Sequence, residues 1–285
     1  MTQEDKRSIL PKALSARLLR QYRKWQRRTP VFLRNLGSRI DPETIFICGN
    51  YKTGSTAIGA LLALAAGQKR ILDIFWRTPG SVKIKLLKKE LPLEWYVNRY
   101  RYLFSKKIVK EPDLIFYMDQ LLALFPRGRY VFLLRDPRDN IRSILNTIHL
   151  PGNAEDLTEE QLNALPGSIW RLAMEGRLFG VQGENYIATQ ALRWNRILEL
   201  YERYADQMIL LKYETFRQNK AAEIYALAEQ LGLPIKANIA SRVDDQYQPK
   251  GDHSVTWLEF FGRDNLATIE SICRKKMDQY GYPVS

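Results

Sequence analysis

The sequence has few of the side chains that cross-link small folds or hold metal ions. Its 285 residues include two cysteines, Cys48 and Cys273, and two histidines, His149 and His253. Two thiols cannot build a disulfide framework or a cysteine-cluster zinc site, and two imidazoles argue against a histidine metal site. No apolar run reaches the roughly 18 residues of a membrane span, and no apolar core of a secretory signal begins the chain. We therefore expect a metal-free protein of the reducing cytoplasm.

Acidic residues are also scarce beside basic ones, 31 against 44, which gives a net charge of +13. Residues 1–43 hold 11 basic and 4 acidic side chains, and residues 69–110 hold 12 and 3, whereas residues 111–285 carry a net charge of −4. The remaining composition, 45% hydrophobic and 26% charged, is that of a globular protein. The two basic segments predict an anionic partner, such as a nucleic acid, a membrane surface or a polyanionic small molecule.

The first basic segment contains a predicted helix over residues 14–28. Its apolar stripe is surrounded by arginines and lysines and consists of Leu14, Leu18, Tyr22 and Trp25. Such a helix either docks on the domain with a solvated basic face, which we favour, or lies on the inner face of the membrane as a peripheral helix.

From residue 44 onward, short apolar runs alternate with helical patterns. Strands are predicted over residues 44–49, 107–110, 129–134 and 208–213, and helices over residues 56–66, 114–125, 139–148, 183–204 and 220–231. This alternation is typical of an α/β fold with a parallel sheet flanked by helices. We interpret residues 44–285 as one domain and residues 1–43 as a basic helical extension.

The segment between the first strand and the first helix has the composition of an anion-binding loop. Its residues include Lys52, Thr53, Gly54, Ser55 and Thr56. Glycine lets the backbone approach an anion, and the start of a helix presents unpaired N–H groups. The loop is not a Walker A motif, because serine rather than lysine follows its last glycine. The alternative is a tight turn with incidental polar residues.

A second candidate anion site follows the strand over residues 129–134. Arg135 emerges at the carboxyl end of that strand, where open α/β sheets bind ligands. Asp139 or Asn140 is expected to cap the next helix, and Ser143 lies near its positive end. Arg135 and Ser143 can therefore meet at one anion, although Arg135 could instead pair with Asp136 or Asp139.

Together these segments resemble the sulfotransferase family, which uses 3′-phosphoadenosine 5′-phosphosulfate (PAPS). Residues 51–56 match the loop that holds the 5′-phosphosulfate, and Arg135 with Ser143 match the 3′-phosphate motif. Three further stretches are similar to family segments: Lys212-Tyr213-Glu214, Lys250-Gly251-Asp252, and the tail from Trp257 to Tyr282. The resemblance implies a P-loop-like sulfotransferase fold that needs no metal.

The resemblance also implies a reaction. A sulfuryl group would pass from PAPS to an acceptor hydroxyl or amine, leaving adenosine 3′,5′-bisphosphate (PAP). Lys52 would stabilise the leaving oxygen, the loop would hold the 5′-phosphate, and Tyr213, Lys250 and Gly251 would lie near the nucleotide. Lys110-Glu111-Pro112 stands where the small-molecule branch has Lys-Thr-His. The chain therefore looks closer to the carboxylate-base branches, which include tyrosylprotein, carbohydrate and several bacterial sulfotransferases.

The resemblance leaves the general base open among three residues. Asp73 fits the position of the acid in the carboxylate-base branches, and we favour it over Glu111, which stands on the segment that faces the site in this family. Lys110, beside Glu111, would assist the leaving group, and His149 is the third candidate. Each has a structural alternative: a helix cap for Asp73, a surface acid for Glu111 and a loop histidine for His149.

The acceptor is expected to be anionic, a glycan, a glycolipid or a lipid presented at a membrane, because residues 69–110 combine cations with aromatic side chains. A small neutral phenol is less expected. The competing enzyme class is a nucleotide-dependent, kinase-like phosphotransferase, which lacks support because no Lys-Ser/Thr pair follows the loop glycine. A basic protein that binds nucleic acid or membrane without catalysis is the second alternative, but the sequence has no zinc-finger, basic-zipper or RRM signature.

Overall fold

A computed structural model describes residues 29–178, 180–247 and 255–284, which form a five-stranded sheet with helices around it. The strands are β1 (Ile45–Gly49), β2 (Arg70–Leu72), β3 (Ile108–Lys110), β4 (Arg129–Leu134) and β5 (Met208–Lys212). Their order across the sheet is β2-β3-β1-β4-β5, and all pairs are parallel. All five carboxyl ends therefore lie at one edge, which is where the candidate anion-binding segments begin.

The central strand β1 shows why the sheet is parallel and buried. Each of its residues is buried, and it pairs with β3 on one side and β4 on the other. Its side chains alternate between two apolar layers: Phe46 and Cys48 pack on one face, and Ile45 and Ile47 on the other. A strand that is covered on both faces has a continuous run of apolar residues. This run is the reason why β1 could be predicted from the sequence.

In the part of the chain that the structure describes, twelve α-helices surround and connect the strands. They are α1 (Val31–Asn35), α2 (Ser55–Ala65), α3 (Gly80–Leu87), α4 (Leu93–Arg99), α5 (Met118–Leu124), α6 (Pro137–Ile148), α7 (Glu159–Asn163), α8 (Ser168–Met174), α9 (Tyr186–Arg203), α10 (Tyr213–Gln218), α11 (Lys220–Gln230) and α12 (Trp257–Tyr280). α2 and α11 contribute to one apolar layer, and α6, α9 and α12 to the other. The predicted fold class, a parallel sheet flanked by helices, is confirmed.

Several predicted boundaries differ from the observed ones for local reasons. The helix expected over residues 114–125 begins as a 3-10 turn, Pro112–Tyr117, and becomes α5 only at Met118. The helix expected from residue 139 begins at Pro137, because Asp136 is its N-cap and accepts a bond from the Arg138 amide at 2.9 Å. The expected caps, Asp139 and Asn140, are therefore wrong. β2 and the helices α3 and α4 were missed within the basic segment.

Residues 29–43 of the basic extension pack against the domain. The Asn35 side chain donates a hydrogen bond to the Arg99 carbonyl at 3.0 Å and accepts one from the Tyr102 amide at 3.2 Å. The Asp41 amide donates to the Phe104 carbonyl at 2.9 Å. The helix predicted over residues 14–28 lies outside the described residues, and the boundary at residue 43 stays a prediction. No helix of the described ranges is long and apolar enough to cross a membrane.

Arg138 joins the C-terminal helix to the sheet edge from a buried position. Its guanidinium contacts the Asp136 carboxylate at 2.7 Å, the Glu270 carboxylate at 2.7 Å and the Pro283 carbonyl at 2.7 Å. Its other face lies over the Trp257 ring, 3.8 Å from the centroid. Two carboxylates share this one buried cation, so its removal would take a charge-assisted contact from each of them in a poorly solvated environment.

We predict that Arg138→Ala lowers the free energy of unfolding by about 3–5 kcal/mol, the usual cost of breaking a buried ion pair from one side. The matched control is Arg196→Ala, since Arg196 forms an exposed pair with Glu199 at 3.0 Å on the same helix turn, and such pairs contribute about 0.2–1 kcal/mol. Denaturant unfolding at neutral pH measures both. Equal losses in the two variants would contradict this account of Arg138.

Candidate active site

A cavity of about 680 Å³ opens at the carboxyl edge of the sheet. Its floor comes from the segments that follow β1, β2 and β3, and its outer wall from α1 and the adjoining segment around residue 102. The lining residues are Thr29, Leu33, Arg34, Ser38, Tyr51, Lys52, Gly54, Ser55, Ile71, Leu72, Asp73, Trp76, Arg77, Tyr102, Lys106, Lys110, Pro112, Thr147 and Trp170. Parallel topology thus gathers residues distant in sequence at one site.

The loop between β1 and α2 has a backbone that most side chains disfavour. Lys52 has a φ of 63° and Gly54 a φ of 78°. A methyl group on Gly54 would lie 2.6 Å from the Tyr213 ring, so only glycine fits there. Gly54 is also the N-cap of α2, and no side chain caps this helix. The first-turn amides and the positive end of the helix dipole are therefore directed towards the space in front of Ser55.

A buried polar network holds the loop from below. The side-chain amide of Asn50 donates to the side-chain oxygen of Asn140 at 2.8 Å. The side-chain amide of Asn140 donates to the Tyr51 carbonyl at 2.6 Å. Arg193 donates to the Asn50 side chain at 3.1 Å and to Asp113 at 2.8 Å. The Tyr51 phenol donates to the other oxygen of Asp113. The sequence analysis missed Asp113, Asn140 and Arg193 as parts of the site, because their partners are 62 or more residues away in the sequence.

Arg135 connects three of the strand ends. Its guanidinium donates to the Lys52 carbonyl at 2.9 Å and lies over the Tyr213 ring, 4.5 Å from the centroid. Its nearest described carboxylate partner is Asp139 at 3.9 Å, and its buried Nε has no hydrogen-bond partner among the described residues. The structure thus brings Arg135, Lys52 and Tyr213 together. Ser143 is half-buried almost two turns into α6, outside the cavity lining.

Two lysines and one carboxylate lie on the cavity side of the β1–α2 loop. The Lys110 ammonium binds the Asp73 carboxylate at 2.6 Å, and the Asp73 side chain is 41% exposed whereas that of Lys110 is 5% exposed. Burial, together with the positive charges of Arg135 and Lys110, lowers the pKa of Lys52. Asp73 adopts a left-handed conformation with a φ of 56° and makes no capping bond to the following 3-10 turn. Lys52, Asp73 and Lys110 all face the same cavity.

Glu111 and His149 occupy different surroundings from Asp73. The Glu111 carboxylate is buried and accepts a hydrogen bond from the Phe75 amide at 2.9 Å. Burial and the negative charge of Asp113 raise the pKa of Glu111. His149 is exposed and ends α6 with a left-handed φ of 58°. Neither residue is among the described residues that line the cavity.

The remaining predicted residues are placed as follows. Ser55 is buried and lines the cavity, and Thr56 is half-buried in the first turn of α2. The buried Thr53 hydroxyl donates inward to the Asn50 carbonyl at 3.0 Å. Lys250 and Gly251 lie outside the described residues. In the described ranges, no group of three or more His, Cys, Asp or Glu side chains could hold a metal ion.

Comparison with known proteins assigns the chain to a family. The model of the "Sulfotransferase family" matches residues 65–237, which include Arg135, Ser143 and Tyr213 but begin after the β1–α2 loop. The chain belongs to the sulfotransferase family. It is accordingly a sulfotransferase enzyme. A search of curated proteins finds no match.

Several solved structures are similar to this chain. Sulfotransferase STF9 from Mycobacterium avium is 14% identical, with a TM-score of 0.59 over 90% of this chain and 83% of that one. Sulfotransferase STF1 from Mycobacterium tuberculosis is 17% identical, with a TM-score of 0.46 over 92% and 82%. Mouse sulfotransferase SULT7A1, complexed with PAP, is 11% identical, with a TM-score of 0.46 over 85% and 87%. The first similarity supports the P-loop-like sulfotransferase fold, and the carboxylate-base branch stays a prediction.

The close approach of Gly54 to Tyr213 gives a direct test of the loop geometry. We predict that Gly54→Ala lowers the free energy of unfolding by about 1–3 kcal/mol more than Gly232→Ala does, because the added methyl group overpacks against the ring. Gly232 is a matched control with a φ of 64° and no atom within 4 Å of an added methyl group. Denaturant unfolding measures the difference, and equal costs would contradict the close packing of the Tyr213 ring against Gly54.

Proposed function

We propose that this sulfotransferase moves the sulfuryl group of PAPS to a hydroxyl or amine of an acceptor. The observation that carries the proposal is the contact of Arg135 with the Lys52 carbonyl and the Tyr213 ring. This contact brings the two candidate anion-binding segments together at one edge of the sheet. PAPS carries a phosphate at each end, so its binding requires two such segments close to each other. The residues fit such a donor, since α2 is uncapped, Gly54 leaves no room for a side chain and Arg135 has a buried unpaired Nε.

The β1–α2 loop would hold the 5′ end of the donor. The amides of residues 53–56 and the hydroxyls of Ser55 and Thr56 are donors suited to a phosphate at a helix start. PAPS supplies the activated sulfuryl group, and PAP is the product. Lys52 stabilises the negative charge that develops on the bridging oxygen, which is an electrostatic role that needs no metal.

Arg135 and Ser143 would hold the 3′-phosphate, and Tyr213 would pack near the nucleotide. A buried guanidinium 3.9 Å from its nearest described carboxylate retains hydrogen-bonding capacity for a phosphate. Lys250 and Gly251, by resemblance to the family, would close over the same phosphate. These assignments involve positioning and charge, which carry most of the catalysis in transfers of this kind.

Asp73 is the residue that we propose as the general base. It lines the cavity, is partly exposed and is held by Lys110 at 2.6 Å. Glu111 is less suited, since its raised pKa favours the protonated form and its carboxylate already accepts the Phe75 amide. A base must reach the acceptor proton and be ionised, and the position of Asp73 in the cavity lining supports the first of these conditions. Lys110 would then orient Asp73 and assist the leaving group.

The cavity lining supports an acceptor with both apolar and anionic parts. Trp76, Tyr102 and Trp170 offer ring faces, and Arg34 and Lys106 offer positive charge. Aromatic faces stack on sugars and apolar chains, and cations bind phosphate, sulfate or carboxylate groups. A glycan, glycolipid or lipid acceptor fits this lining better than a nucleic acid, and the loop sequence disfavours magnesium-dependent phosphotransfer because Ser55 follows Gly54.

Calorimetry with PAP tests the donor site. We expect Arg135→Ala to weaken PAP binding about 10- to 100-fold, the loss of charge-assisted hydrogen bonds to a phosphate. Ser143→Ala should have a smaller effect, and Lys52→Ala should mainly reduce turnover. Arg196→Ala is the surface control, and melting temperatures verify folding. Unchanged PAP affinity in folded Arg135→Ala would overturn the site, and magnesium-dependent ATP turnover without PAP binding would favour the phosphotransferase.

Transfer of radiolabelled sulfate from PAPS to a panel of glycans, glycolipids and lipids tests the base. We expect Asp73→Asn to reduce turnover by about 10²- to 10⁴-fold, the usual contribution of a general base. Glu111→Gln should keep most of the activity, because glutamine can still accept the Phe75 amide. PAP affinity should be unchanged in both variants. The opposite ranking would assign the role to Glu111, and two active variants would leave His149 as the base to be tested by His149→Gln.

A further inference from the structure

The outer wall of the cavity carries an exposed apolar patch. We define the α1 patch as Phe32, Leu33 and Leu36, whose exposed fractions are 64%, 45% and 71%. Phe32 and Leu36 are one helical turn apart, so they occupy the same side of this short segment. Single exposed apolar residues are ordinary, but three within five positions form a contiguous surface of the kind that marks an interaction site.

The α1 patch is continuous with the cavity. Leu33 belongs to both, and Arg34, the next residue, also lines the cavity. Arg34 donates to the Tyr102 hydroxyl at 2.9 Å, and Asn35 is bonded to the backbone at residues 99 and 102. The patch is therefore fixed against the domain at the point where the cavity wall meets solvent. A ligand that emerges from the cavity past Leu33 would contact the patch directly.

The segments that carry and adjoin the α1 patch are rich in positive charge. Residues 29–40 and 99–110, which lie side by side, contain no aspartate or glutamate. They contain seven cations, of which Arg39, Arg99 and Arg101 are exposed. The other four are Arg34, Lys106, Lys107 and Lys110. Lys107 and Lys110 have carboxylate partners outside these segments, Glu43 and Asp73.

An exposed tryptophan is linked by ring contacts to the segment that adjoins the α1 patch. Trp95, 41% exposed, contacts the Tyr100 ring with a centroid distance of 6.4 Å, and Tyr100 contacts the Tyr102 ring at 6.5 Å. Tyr102 in turn accepts the bond from Arg34. Apolar side chains with arginines and aromatic residues near them are typical of surfaces that insert into the headgroup region of a bilayer.

We propose that the α1 patch docks the enzyme on an anionic lipid bilayer and that the bilayer delivers the acceptor's apolar part to the cavity past Leu33. The proposal rests on the sulfotransferase function for its acceptor, but not for the docking itself. Charge complementarity selects the occupant, because an anionic surface neutralises the acid-free segments while the apolar side chains insert. A second copy of this chain would bring the same positive charges together and would be repelled.

Vesicle flotation of the full chain tests the docking. The probes are vesicles of phosphatidylcholine alone and vesicles that also contain phosphatidylglycerol. We expect binding to the anionic vesicles, weakened by salt and much weaker with phosphatidylcholine alone. Phe32→Ser/Leu36→Ser should reduce partitioning about tenfold or more, because two large apolar side chains no longer insert. Neither residue lines the cavity, so PAP affinity and melting temperature should stay the same.

The matched control is Ile235→Ser/Leu258→Ser, which removes two apolar side chains of similar exposure, 49% and 55%, outside both basic segments. It should not change vesicle binding. Unchanged partitioning of Phe32→Ser/Leu36→Ser would overturn the docking and would favour another occupant of the patch, such as a second copy of the chain. Equal binding of the wild-type chain to both vesicle types would also overturn it. Failure of PAP binding in the wild-type chain would instead refute the proposed function and leave the vesicle result standing.

Discussion

The buried guanidinium of Arg135 is the interaction on which the candidate site depends. It extends from the end of β4, donates to the loop after β1 at Lys52 and stacks on Tyr213 after β5. A charge this deeply buried is costly unless an anion or carboxylate compensates it, and burial lowers the pKa of Arg135 accordingly. Within the described residues the nearest carboxylate, Asp139, is 3.9 Å away and also binds Arg142 at 2.6 Å. The site is therefore electrostatically arranged for an additional anion.

The second constraint is the polar network beneath the loop. Asp113 is fully buried and accepts bonds from both Tyr51 and Arg193, while Arg193 also reaches Asn50. Such a network is stable only when each member is satisfied, and it then allows few alternative arrangements. It fixes the backbone on both sides of Lys52, which holds the unfavourable φ of 63°. The loop is thus preorganised, and this reduces the reorganisation needed when charge develops in the reaction.

The contrast between β1 and β2 explains what could be predicted from the sequence. β1 and β4 are covered on both faces, so their apolar runs identified them, and the residues after them supplied Lys52 and Arg135. β2 has three residues, begins with an exposed arginine and lies at the sheet edge within a basic segment, so no pattern identified it. Asp113 and Arg193 are 80 residues apart in the sequence, and only the fold brings them together at the site. The predicted helix caps, Asp139 and Asn140, were wrong for a local reason, because Asp136 precedes the proline that starts α6 and caps the helix instead.

The cavity is chemically different at its two ends, and this difference separates the reaction from the selection of the acceptor. At the loop end, Lys52, Lys110 and Asp73 provide charges of both signs within a few residues of the strand ends. At the α1 end, Leu33, Arg34 and Lys106 provide apolar surface and positive charge without a carboxylate in their own segments. The family model begins at residue 65, so residues 29–38 of this wall lie outside it. The preference for an acceptor must therefore be derived from the side chains of this chain itself, and α1 is where they meet both the cavity and solvent.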